Sequence, residues 1–243
     1  MVFPGPDPHR QEDPQRGLLT TVTGEPFQPA RLYYSLPSQS AVTRIFRDLH
    51  CMDEDRKGAR WVWLYQDEAV RLTFGRSYNQ VPTAAHPIAI GAFRFPKTGG
   101  MVLSVRSFAR AIEAAKFFAP LLGPSVVLRR ARVLNRWLSA AEAQRDLAAL
   151  DRYLDRNVTV IDPRIGEARL IAFLEQGGQQ PMNPSPEPDV PEVEDFPLAP
   201  EEETADFQHL TITLQIRLLR AEEHWQGNTH VRLRDILLRC IES

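Results

Sequence analysis

Residues 60–65, Arg60-Trp61-Val62-Trp63-Leu64-Tyr65, place three large aromatics at alternate positions. Successive side chains of a strand point to opposite faces, so Trp61, Trp63 and Tyr65 share one face and Val62 and Leu64 the other. A strand apolar on both faces is covered on both sides, or its aromatic side holds a ligand. The rest of the chain has to supply a sheet around this strand and something to lay over its aromatics.

The flanking sequence supplies both. Leu32 to Leu36 predicts a strand stopped by Pro37. Ser38 then caps a helix over residues 39–50, with Val42, Ile45, Phe46 and Leu49 on one stripe. Beyond the aromatic strand, a short helix is expected from Asp67 to Leu72, and an irregular loop from Gly75 to Pro87. Ile88–Phe95 and Met101–Arg106 bracket a Gly-containing turn and predict a hairpin. A helix follows from Ser107 to about Phe118, then a β-branched strand from Val126 to Val133. The expected fold is α+β: an antiparallel or mixed five-stranded sheet of split βαβ type with two helices on one face, followed by additional helices and a C-terminal helical hairpin.

Composition divides the chain further. Residues 1–29 hold six prolines and no sustained apolar period, which predicts a disordered leader, so the sheet domain spans 30–138. Ser139-Ala140-Ala141-Glu142 forms a capping box, and Asp162-Pro163 opens a second helix. Residues 139–176 are therefore expected to be a helical extension packed on the sheet domain. Residues 177–206 carry nine acids, seven prolines and no Lys or Arg, the composition of a disordered acidic linker. Residues 210–218 alternate like a strand but run unpunctuated to Trp225, too long for one strand. Length favours a helix, and residues 207–243 read as a helical hairpin.

The net charge of −2 conceals segregation, because residues 30–176 carry 22 basic against 14 acidic side chains. Only three of the 29 basic residues are lysine. Arg suits bidentate recognition of phosphate or carboxylate. Two cysteines, Cys51 and Cys240, are too few for a disulfide framework or a cysteine zinc site. Met1 is followed by prolines and charged residues, and no apolar stretch approaches the roughly 20 residues of a membrane span. The expectation is a soluble cytoplasmic protein without a membrane contact.

One candidate site joins the sheet face of Trp61, Trp63 and Tyr65, with Tyr33 and Phe93 or Phe95, to Arg94 and the cluster Arg129, Arg130, Arg132 and Arg136. Aromatics that stack bases beside Arg that hold phosphates make a platform for single-stranded RNA or DNA. The competing expectation buries the aromatics under the helices of 139–176 or the C-terminal hairpin. Ile90-Gly91-Ala92-Phe93-Arg94-Phe95-Pro96 lacks the opening basic residue and the aromatic after glycine of the RNA recognition motif octapeptide. Alternation sets Arg130 and Arg132 on one face and Arg129 on the other. His50-Cys51 beside Asp53, Glu54 and Asp55 reads as a solvated turn rather than a nucleophile and base, since chain neighbours seldom face each other. No Walker loop, dinucleotide fingerprint, serine elbow or zinc-protease motif is present, and no cofactor or metal is expected. Were the chain an enzyme, Tyr78, Asn79, Gln80 and His86 of the irregular loop would be the first residues to examine. The expected function is that of a non-catalytic intracellular binding or adaptor protein, whose partner docks through residues 207–243. The alternative is an accessory nucleic-acid-binding protein.

Overall fold

The structure, a computed structural model, describes residues 17–55, 60–145, 153–161, 190–198 and 208–242. Its centre is an eight-stranded sheet. In chain order the strands are β1 (Ala30–Ser35), β2 (Met52–Glu54), β3 (Arg60–Leu64), β4 (Ala89–Arg94), β5 (Met101–Val105), β6 (Val127–Leu134), β7 (Val158–Val160) and β8 (Val193–Pro197). Their spatial order is β2-β3-β4-β5-β1-β6-β8-β7, antiparallel throughout except for β7 beside β8. Since β1 is antiparallel to both β5 and β6, those two run in the same direction with β1 between them.

The sheet exceeds the expected five strands by β2, β7 and β8. β2 and β7 are three residues long, too short to display a period. β8 lies inside the acidic, proline-rich stretch. There Glu194, Asp195 and Phe196 are buried, which corrects the expectation of a linker for residues 190–198. The remainder of 177–206 lies outside the described residues. A second correction concerns the N-terminus. Residues 17–29 pack onto the sheet end through Leu19 N–H to Leu138 O (2.9 Å), Gln28 N–H to Arg106 O (2.9 Å) and the Gln28 side-chain amide to Leu134 O (3.0 Å).

Helices α1 (Gln39–Arg47) and α2 (Phe108–Leu122) lie on one face of the sheet and touch each other. Ser38 and Ser107 accept the Ala41 and Arg110 amides and so cap the two N-termini. α2 runs past its expected end, with Pro120 in its last turn, and Gly123 terminates it at φ 71°. Helix α3 (Ala140–Arg145) starts on the Ser139–Glu142 capping box. The helix expected after Asp162 lies outside the described residues. Helices α4 (Gln208–Trp225) and α5 (Leu233–Glu242) form the C-terminal hairpin, and α4 packs on α2. Leu210 and Leu214 of α4 join the main core, so the alternating segment resolves as a helix docked on the sheet domain.

Candidate functional site

Register decides which side chains meet. Trp61 pairs with Phe93, Phe93 with Leu103, and Leu103 with Leu32, so Trp61, Trp63, Phe93, Leu103 and Leu32 share the face under α1 and α2. Phe46 of α1 sits 5.6 Å from Trp61 and 4.8 Å from Phe93, ring centre to ring centre. Phe117 and Phe118 of α2 lie 5.6 and 5.0 Å from Trp63. Tyr65 packs against Phe74 and donates its hydroxyl to Leu72 O at 2.9 Å. The three aromatics are 2%, 0% and 1% exposed, which leaves no ring face for a base to stack on. The cover over Trp61 and Trp63 comes from α1 and α2, and that over Tyr65 from Phe74 and Tyr78.

Tyr33 and the arginines occupy the opposite face. Tyr33 is in register with Val102 and Arg130, Arg31 with Ser104 and Arg132, and Arg94 with Val102 and Arg60. The combined aromatic and Arg face expected from the sequence is thus divided by the pleat. The Arg130 guanidinium lies 3.7 Å from the Tyr33 ring centre and that of Arg132 lies 5.7 Å away. Arg94 is exposed and forms no ion pair among the described residues. Arg129, at the register shift between β1 and β6, donates from Nε to Ser35 Oγ at 2.9 Å.

Most of the Arg cluster is engaged by acids of the chain itself. Asp195 of β8 accepts from Arg132 Nε at 2.9 Å and also from Arg130. Asp155 accepts from Arg31 (2.5 Å) and Arg132 (3.3 Å). Arg136 reaches Glu142 at 2.8 Å and Glu192 at 2.6 Å. On the helix side of β8, Glu194 receives a two-pronged contact from Arg217 of α4 (2.6 and 2.7 Å) and a third bond from Asn135 (3.0 Å). The acidic stretch therefore closes onto the basic body. Phe196 completes the strand, with the Arg217 guanidinium 4.9 Å from its ring.

Two further clusters are structural. Arg110, on the inner side of α2 and 1% exposed, donates to Glu25 Oε1 (3.0 Å) and to Thr23 Oγ1 (2.7 Å). Burial pushes the Glu25 carboxyl up, but Arg110 and the Thr21 and Thr23 hydroxyls outweigh it and hold it below the usual range. An Arg among Phe108, Ala111, Ala114 and Ala115 was visible in the sequence as a charge on an apolar stripe; its partner 85 residues away was not. At His50-Cys51, Glu68 accepts both backbone N–H groups (3.1 and 2.9 Å) and faces His50 Nδ1 at 3.1 Å. Burial, with Glu68 beside it, pushes the Cys51 thiol up to about 12, the opposite of nucleophilic activation. In the irregular loop Tyr78 Oη meets His86 Nδ1 at 3.0 Å, whereas Gln80 turns back to cap Ser77 (2.8 Å).

The hairpin carries a groove between α4 and α5 lined by Leu219, Glu222, Glu223, Gln226, Ile236, Arg239 and Cys240. Ile212, Leu219, Leu237 and Leu238, four of the seven exposed large apolar side chains among the described residues, belong to these two helices. Among the described residues no group of three His, Cys, Asp or Glu side chains is placed to hold a metal ion, and no helix is long and apolar enough to cross a membrane. No protein-family model, curated protein or solved structure matches the chain.

Proposed function

We propose that the protein is a binding or adaptor protein that engages a protein partner through its C-terminal hairpin, residues 207–243. The observation that carries this reading is the asymmetry of the hairpin. One side of α4 is docked through Leu210, Leu214 and Ala221, while Leu219, Leu237 and Leu238 are 40%, 42% and 55% exposed. Apolar side chains concentrated on one small element mark a contact surface more often than apolar residues scattered singly. Replacement of Leu237 and Leu238 by Asp should leave thermal stability near wild type, because the buried contacts are made by Ile236 of α5 and by Val231 in the turn before it. It should also abolish crosslinking to the partner recovered with the wild-type chain. An unchanged set of crosslinked proteins would remove the hairpin from consideration.

A second reading, a nucleic-acid contact, is favoured by the sheet face bearing Tyr33, Arg94, Arg130 and Arg132. Trp61, Trp63 and Tyr65 take no part in it, and Asp195 and Asp155 already neutralise part of the charge. This reading requires that binding of single-stranded oligonucleotide weaken steeply with salt and fall in Arg94→Ala.

A further inference from the structure

We infer that the groove between the edge of β6 and helix α4 is a receptor for an extended acidic peptide, and that β8 fills it as an intramolecular stand-in. The inference is independent of the exposed hairpin residues, none of which lines this groove.

The strand is held by the side chains of residues 193–196, all buried, and on its far edge by the three-residue β7. Its backbone pairs antiparallel with β6 from Arg130 opposite Pro197 to Leu134 opposite Val193. Beyond the strand ends, Leu198 N–H donates to Arg129 O (2.7 Å) and Asn135 N–H to Glu192 O (2.8 Å). Glu192 meets Arg136, Glu194 meets Arg217 and Asn135, and Asp195 meets Arg130 and Arg132. Phe196 belongs to the same apolar core as Leu210 and Leu214. Main-chain pairing that supplies affinity, with side-chain pockets on alternate faces that supply selectivity, is the recognition mode of strand addition. All the cations of the groove are Arg, whose planar fork suits carboxylate pairs. The ligand chemistry follows as acid, apolar, acid, acid, aromatic, in extended form, the second position being that of Val193, buried against Leu134, Leu138 and Leu154.

Glu194 and Asp195 are the contacts through which the arginines of α4 and β6 hold the resident strand, so a partner segment of the same pattern gains access when those two contacts are lost.

The test uses a fluorescein-labelled peptide of residues 190–198 and fluorescence anisotropy on the full-length chain. In Glu194→Lys/Asp195→Lys the resident strand is repelled by the arginines that hold it. Removing the internal competitor should tighten peptide binding at least ~10-fold relative to wild type. A scrambled peptide and a thymidine oligonucleotide should fail to displace the probe. Equal affinity for the two chains, with the variant retaining the wild-type circular dichroism spectrum, overturns the inference, as does equal displacement by the oligonucleotide. Should the variant not fold, hydrogen exchange of the wild-type chain decides. Amides of residues 194–196 and 198 exchanging at least ~100-fold faster than those of β5 support a strand that leaves while the sheet persists. Matched protection of the two strands overturns it.

Discussion

At the scale of single residues, the buried pair Glu25–Arg110 sets the sharpest constraint. Arg110 has no aqueous route for its charge, and Glu25 arrives from the proline-containing segment before β1, held also by Thr21, Thr23 and Ser107. Removing one member of a buried pair leaves the other charge uncompensated, a loss of about 3–5 kcal/mol. Glu25→Gln should therefore unfold at markedly lower urea than wild type at neutral pH. The native carboxyl titrates below its ordinary value, so its contribution is present above the unfolded value of about 4.3 and is lost as pH falls through the lowered native one. The stability gap between wild type and variant should be full above about pH 5 and shrink as pH falls below about 4. A gap that stays constant from pH 7 to pH 3 would contradict the assignment. Gly75 belongs to the same arrangement: a Cβ there would lie 2.9 Å from Thr23 O, so only glycine lets the segment close over Arg110.

At the scale of elements, the aromatic strand works because its neighbour makes room. Gly91 of β4 is in register with Trp63, and a Cβ at Gly91 would meet Trp63 Cε3 at 3.2 Å and Leu103 Cδ1 at 3.0 Å. The indole thus lies across a residue without a side chain, under Phe117 and Phe118. Gly91→Val should cost about 1–3 kcal/mol by overpacking. Trp63→Ala should cost about 3–5 kcal/mol through the cavity it leaves. Urea unfolding followed by circular dichroism measures both, and a near-neutral Gly91→Val would show that the indole sits elsewhere. These elements also mark what the sequence disclosed. Strands with period-two alternation and helices with capped apolar stripes were legible, because burial of one face imposes the period. The opposition of Tyr33 to Trp61 and Trp63 was not legible, because it depends on strand order and register, which pair residues far apart in the chain. β8 escaped notice for a different reason. Two of its four buried positions, Glu194 and Asp195, are charged, and they are satisfied by arginines on β6 and α4 and by Asn135.

At the scale of the whole molecule, the division between a basic body and an acidic stretch becomes an internal contact. Charge that the composition assigns to a separate tether is spent inside the fold, where Glu194 links β8 to α4 and Asp195 links it to β6. This joint fixes the hairpin against the sheet, so the exposed leucines of α5 are presented at a set angle rather than on a loose arm. Arg217 is the residue on which the joint depends, since Glu194, 4% exposed, keeps without it only the Asn135 amide among the described residues. Arg217→Met should lower stability by about 3 kcal/mol, as expected for a buried carboxylate stripped of its cation. Glu194→Gln in the same chain should recover part of that loss, because the neutral amide no longer requires a cation. The four chains of this cycle, unfolded in urea at one pH and salt, yield the coupling energy between strand and helix. A coupling near zero would mean that α4 is held by its apolar contacts, Leu210, Leu214 and Ala221 among them, and the acidic strand would then have no part in orienting the hairpin.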